Sequence, residues 1–207
     1  MEHINPFDSG AQAYEDWFAE NPQLFQAELA AVRQLLPQAG QGVEIGVGTG
    51  LFAAALGIPC GLEPSLDMAR LARQKGIEVI QGYAEDMPLP DQSYDFALMV
   101  TVDCFLQDVA AAFRQVCRIL KPQGRFIIAF LDKGTPLGQI YDQHKDEDVN
   151  YRFATFHTAA EIEAYLTQAG FAMGRKIQTV FSFDAKEQPV RDGHGEGLFA
   201  VAEAYKL

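Results

Sequence analysis

An α/β fold, a doubly wound and mostly parallel sheet closed by an antiparallel hairpin, is predicted by three features of this 207-residue chain. Strand-length apolar runs alternate with helix-length amphipathic segments, the pattern of a parallel sheet with helices on its faces. The first such run ends in a glycine turn, Gly46-Val47-Gly48-Thr49-Gly50, that opens a helix. The last two runs, Met173–Phe183 and Gly197–Tyr205, are joined by a segment too short for a crossover helix, which makes them antiparallel.

The elements follow in order. Residues 9–20 and 22–36 read as two helices, with Asn21-Pro22 as the break that opens the second. Gly42–Gly46 reads as the first strand, and a very short helix, Leu51–Leu56, follows its glycines. Ile58–Glu63 is the second strand, a helix runs from Ser65 to a stop at Gly76, and Ile77–Gln81 is the third strand. The loop Pro88–Ser93 leads into Tyr94–Val102, a nearly continuous apolar run suited to a central strand buried on both faces. Asp108 is placed to cap the helix Val109–Leu120, which stops at Lys121-Pro122-Gln123-Gly124 before a fifth strand, Arg125–Leu131. Residues 133–157 break the rhythm with Gly134, Pro136 and Gly138, then a charged and aromatic stretch of the length often used for a lid. Thr158-Ala159-Ala160-Glu161 is a capping box whose helix closes at Gly170.

With 48% hydrophobic residues the chain suits one domain, 1–207, in which 1–36 form a helical cap and 133–157 an inserted lid. The net charge of −12, without a cluster of Lys and Arg, argues against a nucleic-acid partner, which would be held by its phosphates. Met1–Pro6 has neither a basic start nor an apolar run, so no signal peptide is expected, and no apolar stretch has the length of a membrane span. Three cysteines, Cys60, Cys104 and Cys117, without CxxC spacing suit free thiols and a cytoplasmic setting. Four scattered histidines lack the spacing of metal ligands.

The glycine turn carries the cofactor expectation. Without Cβ atoms the backbone can pass very close to a ligand, but dinucleotide sites use such a turn too. Here the third fingerprint glycine is replaced by Leu51, and the helix that follows is barely two turns, a poor seat for a pyrophosphate. The spacing therefore favours a ligand without phosphates. Glu63 ends the second strand nineteen residues after Glu44, where a carboxylate can accept hydrogen bonds from both hydroxyls of a ribose, or simply face solvent. Met68, one turn into the next helix, suits an adenine face or the core equally.

Together these blocks resemble the class I S-adenosylmethionine-dependent methyltransferases, especially the branch with the ubiquinone and menaquinone C-methyltransferases. The landmarks are Glu44-Ile45-Gly46-Val47-Gly48-Thr49-Gly50, Gly61-Leu62-Glu63-Pro64-Ser65, Ala84-Glu85-Asp86-Met87-Pro88-Leu89, Ser93-Tyr94-Asp95-Phe96 and Arg118-Ile119-Leu120-Lys121-Pro122-Gln123-Gly124. The resemblance runs from about Tyr14 to the final strand and implies a single Rossmann-like domain of strand order 3-2-1-4-5-7-6 with S-adenosylmethionine as cofactor. It implies that Gly46, Gly48 and Gly50 line the methionine portion, with Val47 beside them, and that Glu44 helps hold the amino-acid end. Glu63 takes the ribose, with Pro64 next to it; Ala84 meets the adenine edge by its backbone, with Glu85 beside it. Thr101 contacts the methionine amino group, and Tyr14 covers the cofactor. Two positions depart from the family: Tyr83 stands where Asp is frequent, and Cys104-Phe105 where His is frequent after the fourth strand.

The expected acceptor is a small molecule, reached by in-line displacement that depends on alignment and exclusion of water. Asp103, His157 and His194 are the candidate proton-transfer groups, each with a plainer alternative. Asp103 could cap the following helix, His157 could be structural before the capping box, and His194 could be an exposed loop residue. Arg191 shares the hairpin loop with His194. Tyr14, Trp17 and Phe18 from the first helix, and Tyr141, His144, Tyr151, Phe153, Phe156 and His157 from the insert, would lie above the strand ends or pack as core. Cys104 reads as a small apolar wall, and Asp142, Asp146, Glu147 and Asp148 as a solvated face or a bias toward a cationic or neutral acceptor. A non-catalytic binder of the cofactor and an NAD(P)-dependent oxidoreductase are the alternatives; oligomeric state and acceptor identity are not encoded in any motif.

Overall fold

Eight strands form one sheet among the residues that the computed structural model describes, 10–147, 151–184 and 187–207. Residue 9, expected at the head of the first helix, Asp148 of the acidic cluster, and residues 185 and 186 of the hairpin loop lie outside them.

Helix α1 (Ala11–Glu20) is followed at once by α2 (Pro22–Leu35), whose first position is held by Pro22, where a missing N–H costs nothing. Strand β1 (Gly42–Ile45) runs into α3 (Leu51–Leu56), bounded by the left-handed glycines Gly50 and Gly57. Strand β2 (Cys60–Glu63), helix α4 (Leu66–Gln74) and strand β3 (Glu78–Gln81) complete the first half. Strand β4 (Tyr94–Val100) ends in a 3-10 turn, Asp103–Phe105, and Asp108 then caps α5 (Val109–Ile119), its carboxylate accepting from the Ala111 amide at 2.8 Å. Strand β5 (Leu120–Leu131) starts earlier than its apolar run, because Leu120 pairs with Tyr94 before the ladder shifts register and resumes at Arg125 opposite Phe96.

The first part of the 133–157 insert, up to Glu147, holds regular structure. Thr135 caps a helix, α6 (Pro136–His144), and Lys145–Glu147 add a 3-10 turn. Its return leg is anchored: Ala154 and Phe156 are buried, and the Thr155 amide donates to the Cys104 carbonyl at 2.8 Å. Asp142 pairs with Lys145 at 3.1 Å, while Asp146 and Glu147 face solvent. Helix α7 (Ala159–Gln168) opens on the expected capping box, with Thr158 and Glu161 bonding reciprocally. Strand β6 (Phe171–Thr179), the two-residue β7 (Arg191–Asp192) and β8 (Phe199–Lys206) close the sheet.

The order is β3-β2-β1-β4-β5-β8-β6-β7. Pairing is parallel from β3 to β5, and β8 lies antiparallel between β5 and β6. This is the predicted 3-2-1-4-5-7-6 arrangement, with β7 added as a short edge strand on β6. Along β4 the side chains alternate between two cores, Phe96, Leu98 and Val100 on one face and Ala97 and Met99 on the other, so both faces are covered. The chain leaves β1 toward β2 on one side while β4 lies on the other, which opens a crevice outside the carboxyl ends of β1 and β4. No helix among the described residues is long and apolar enough to cross a membrane.

Thr158→Ala removes the cap of α7 and is expected to cost about 1 kcal/mol, a fall in Tm of about 2–4 °C for a chain this size. Thermal unfolding checks this, and an unchanged Tm would show that Glu161 holds the helix start alone.

Candidate functional site

The floor of the crevice is the turn after β1. Gly46, Gly48 and Gly50 all have positive φ, +70°, +54° and +81°. Their reasons differ. A Cβ on Gly46 would stand 2.4 Å from Val102 Cγ2, whereas one on Gly48 would meet nothing within 4 Å and would project into the cleft. A Cβ on Gly50 would press at 3.1 Å on Ala72, so this glycine lets α3 dock on α4. Val47 is buried against Gly61 of β2. Gly50 and Val47, expected at the cofactor, therefore shape the turn from behind and do not line the cleft.

Glu63 joins the two sides of the crevice. One carboxylate oxygen accepts from the Gly48 amide at 2.9 Å and the other from the Ser65 amide at 2.9 Å. The side chain is 6% exposed and borders the cleft, so its orientation is set by backbone donors from both the glycine turn and the head of α4. Glu44 lies deeper and does not line the cleft; its Oε2 is buried with no hydrogen-bond partner among the described residues. Burial raises its carboxyl well above the usual range, opposed by the Ala53 amide and reinforced by Glu63.

The cleft holds about 950 Å³, solvent at its mouth included. Pro64 and Met68 line one wall, Tyr83, Ala84 and Glu85 the next, and Thr101 and Tyr14 the far end. Glu85 accepts from the Gln107 amide at 2.9 Å. Thr101 holds φ +51°, a rare state for a β-branched residue, while its amide donates to the Ala129 carbonyl at 2.8 Å. Helix α1 crosses this end and is clipped down by Lys75, which bonds Glu15 at 2.8 Å and the Thr49 carbonyl of the turn at 3.0 Å.

A second cavity of about 630 Å³ shares Tyr14, Thr101 and Tyr151 with the cleft. Its walls are aromatic, with Trp17, Phe18, Tyr141 and Phe183, and its sole carboxylate among the described residues is Glu28 of α2. Glu28 is 8% exposed, and burial pushes its carboxyl up to about 8. The residue escaped the reading of the sequence because a charge in an amphipathic helix reads as its wet face. The signal was present: Glu28 falls in step with Leu24, Ala31, Val32 and Leu35, the buried stripe of α2.

The three candidate proton-transfer groups are not brought together at the cleft. Asp103 and His157 are buried partners, Nδ1 to Oδ2 3.0 Å, and line neither cavity. Burial raises the Asp103 carboxyl and His157 lowers it. Their bond ties the end of β4 to the head of α7; Asp103 is not the cap of α5, a role that Asp108 fills. His194 sits with Glu163 and Lys176 over a different small depression, its Nε2 3.4 Å from each side chain. Arg191 lies over the Phe181 ring and bonds Glu196. Trp17, Phe18, Tyr141 and Tyr151 do face the second cavity, whereas Phe153 is exposed and Phe156 is core. Cys104, expected as a small apolar wall, is instead a core residue that lines neither cavity, and burial raises its thiol.

The model of a methyltransferase-domain family matches residues 43–128, from β1 into β5. A crystallised S-adenosylmethionine-dependent methyltransferase of Thermotoga maritima, described as a possible histamine N-methyltransferase, is 42% identical with a TM-score of 0.94 over 98% of each chain. An uncharacterized protein of Methanocaldococcus jannaschii is 36% identical over 99% of this chain and all of its own length. The chain belongs to the S-adenosylmethionine-dependent methyltransferases, and S-adenosylmethionine is its cofactor. The quinone branch is supported only in part: a demethylmenaquinone methyltransferase of Corynebacterium kroppenstedtii is 28% identical over 48% of this chain.

Glu28 keeps its proton when folded up to about pH 8 and loses it near 4.5 when unfolded, so stability falls as pH rises between those values. Glu28→Gln removes that fall. The variant is expected to outlast the parent in urea by on the order of 4 kcal/mol above pH 8 and by little near pH 5. Equal gains at both pH values would place the Glu28 carboxyl in water.

Proposed function

We propose that the protein transfers the methyl group of S-adenosylmethionine to a small-molecule acceptor seated in the aromatic cavity, with the two ligands meeting between Tyr14 and Thr101. The observation that carries this reading is the continuity of the two cavities through Tyr14, Thr101 and Tyr151.

The residues fit the cofactor. Gly48 leaves open space where a side chain would intrude, Glu63 offers a fixed carboxylate to a ribose diol, and Glu44 has a buried oxygen without a partner. In this reading Gly46 and Gly48 hold the methionine portion, Met68 and Ala84 bracket the adenine, and Glu85 stands beside it. Glu44 helps hold the amino-acid end from below the turn, and Thr101 approaches the amino group. When bound, S-adenosylmethionine supplies a methyl group on a cationic sulfur. The chain's own share is alignment and exclusion of water: α1, clipped by Lys75, covers the junction, and the aromatic walls keep it dry. An apolar wall does not oppose the reaction, because charge is dispersed as the sulfonium becomes a thioether. The Thermotoga maritima relative is described as a possible histamine N-methyltransferase, which makes an amine nitrogen the first acceptor to test.

Purified protein incubated with isotopically labelled S-adenosylmethionine and a metabolite extract is expected to label a small molecule. Cofactor binding without any labelled product would favour a non-catalytic binder. Glu63→Gln is expected to weaken cofactor affinity by about 1–3 kcal/mol, the cost of a lost charge-assisted bond. Calorimetry with S-adenosylhomocysteine measures this, and an unchanged affinity would remove the ribose from Glu63.

A further inference from the structure

The unassigned group in this molecule is Glu28. It is a carboxylate, more than nine-tenths buried, that borders an aromatic cavity, and no hydrogen bond or ion pair to it is found among the described residues. A buried carboxyl with no partner is costly, and it is kept where something else completes it. Its surroundings specify what that is. Trp17, Tyr141, Tyr151 and Phe183 line the cavity with aromatic rings, whose faces attract a cation and provide no anion site. Among the described residues no lysine or arginine lines the cavity to neutralise Glu28. The net charge of −12 raises the concentration of cations near the whole surface.

We infer that Glu28 is the recognition group of the acceptor site and that the acceptor is a small organic amine, bound as its ammonium ion against the Glu28 carboxylate and the surrounding aromatic rings. This rests on the methyl-transfer reading above and adds the substrate class and the residue that selects it. Glu28 lines the same cavity as Tyr14 and Thr101, which also border the cofactor cleft, so an amine paired with it lies in the cavity that opens toward the cofactor.

The same carboxylate can take the proton that must leave before nitrogen can react. An N–H proton of the ammonium passes to a Glu28 oxygen, which frees the nitrogen lone pair. That pair forms the new bond to the methyl carbon, and the carbon–sulfur bond breaks with its electrons going to sulfur, leaving a neutral thioether. The N-methylated product carries one positive charge, and Glu28 keeps the proton when product leaves, so that the protein returns to its resting state and the single proton of the overall reaction is the one released when the ammonium binds. The ionisable groups facing Glu28 in the cavity are Tyr14 of α1, Tyr141 of α6 and Tyr151; burial raises the hydroxyls of Tyr14 and Tyr151, so they stay neutral. With its carboxyl raised to about 8, Glu28 is mostly protonated in the free protein at neutral pH, so pairing with an ammonium releases a proton to the buffer.

The test is calorimetry of the protein, with and without saturating S-adenosylhomocysteine, titrated with 2-phenylethylamine and with its neutral counterpart 2-phenylethanol. Two buffers of different ionisation heat are used at about pH 7. The amine is expected to bind about tenfold or more tighter than the alcohol and to release close to one proton. Glu28→Gln is expected to weaken the amine about tenfold or more, to abolish the proton release, and to leave the alcohol and S-adenosylhomocysteine unchanged. Equal affinity for amine and alcohol, binding of neither, or amine binding that Glu28→Gln leaves intact each overturns the inference. Amine binding with proton release in a protein that does not take S-adenosylhomocysteine would keep the Glu28 site and remove the methyl-transfer reading.

Discussion

The two hydrogen bonds that fix the Glu63 carboxylate, one from Gly48 and one from Ser65, are the constraint on which the site depends. Parallel strands β1 and β2 bring their carboxyl ends side by side, but nothing in a strand ladder fixes the loops beyond it. The carboxylate does so by accepting an amide from each loop. Ser65 in turn caps α4, so the head of that helix, the glycine turn and the strand end form one rigid corner. Without that corner the positive-φ glycines would be free to take other conformations, and neither the floor of the cleft nor the covering position of α1, clipped to the Thr49 carbonyl, would be defined.

Three buried carboxylates, Glu28, Glu44 and Glu63, lie around Tyr14, and all three raise its hydroxyl, after burial itself. They divide the labour by environment. Glu63 is satisfied by amides and is fit to accept from neutral hydroxyls. Glu44 is half satisfied under the turn. Glu28 lines an aromatic cavity and has no hydrogen-bond or ion-pair partner among the described residues. One negatively biased interior thus offers three different recognition surfaces, set by what each carboxylate already bonds rather than by its chemical type.

Much of the architecture was legible from periodicity and punctuation. Leu51–Leu56, the Asp108 cap, the Thr158–Glu161 box and the antiparallel close all rest on local signals, and all are present. The cleft was legible for the same reason, since Gly48, Glu63, Met68 and Ala84, which line it, sit within one turn of strand ends whose direction the fold dictates. The aromatic cavity is assembled from α1, α2, α6 and the end of β6, which meet only through packing. His194 was brought near in expectation by the hairpin, but the loop folds toward α7, where Glu163 and Lys176 receive it. Asp103 looked like a cap, and the partner that claimed it, His157, is distant in sequence. Glu28 was hidden by its charge, although its spacing on α2 matched the core.

The central claim is a single continuous site, with the cofactor corner at Glu63 and the acceptor cavity at Glu28 meeting between Tyr14 and Thr101. A crystal structure with S-adenosylhomocysteine tests it most directly. The account predicts both ribose hydroxyls on the Glu63 carboxylate and the sulfur turned toward Tyr14 and Thr101, with the aromatic cavity left open beyond it. An adenosine lodged among Trp17, Tyr141 and Phe183, or a sulfur turned away from that cavity, would contradict it.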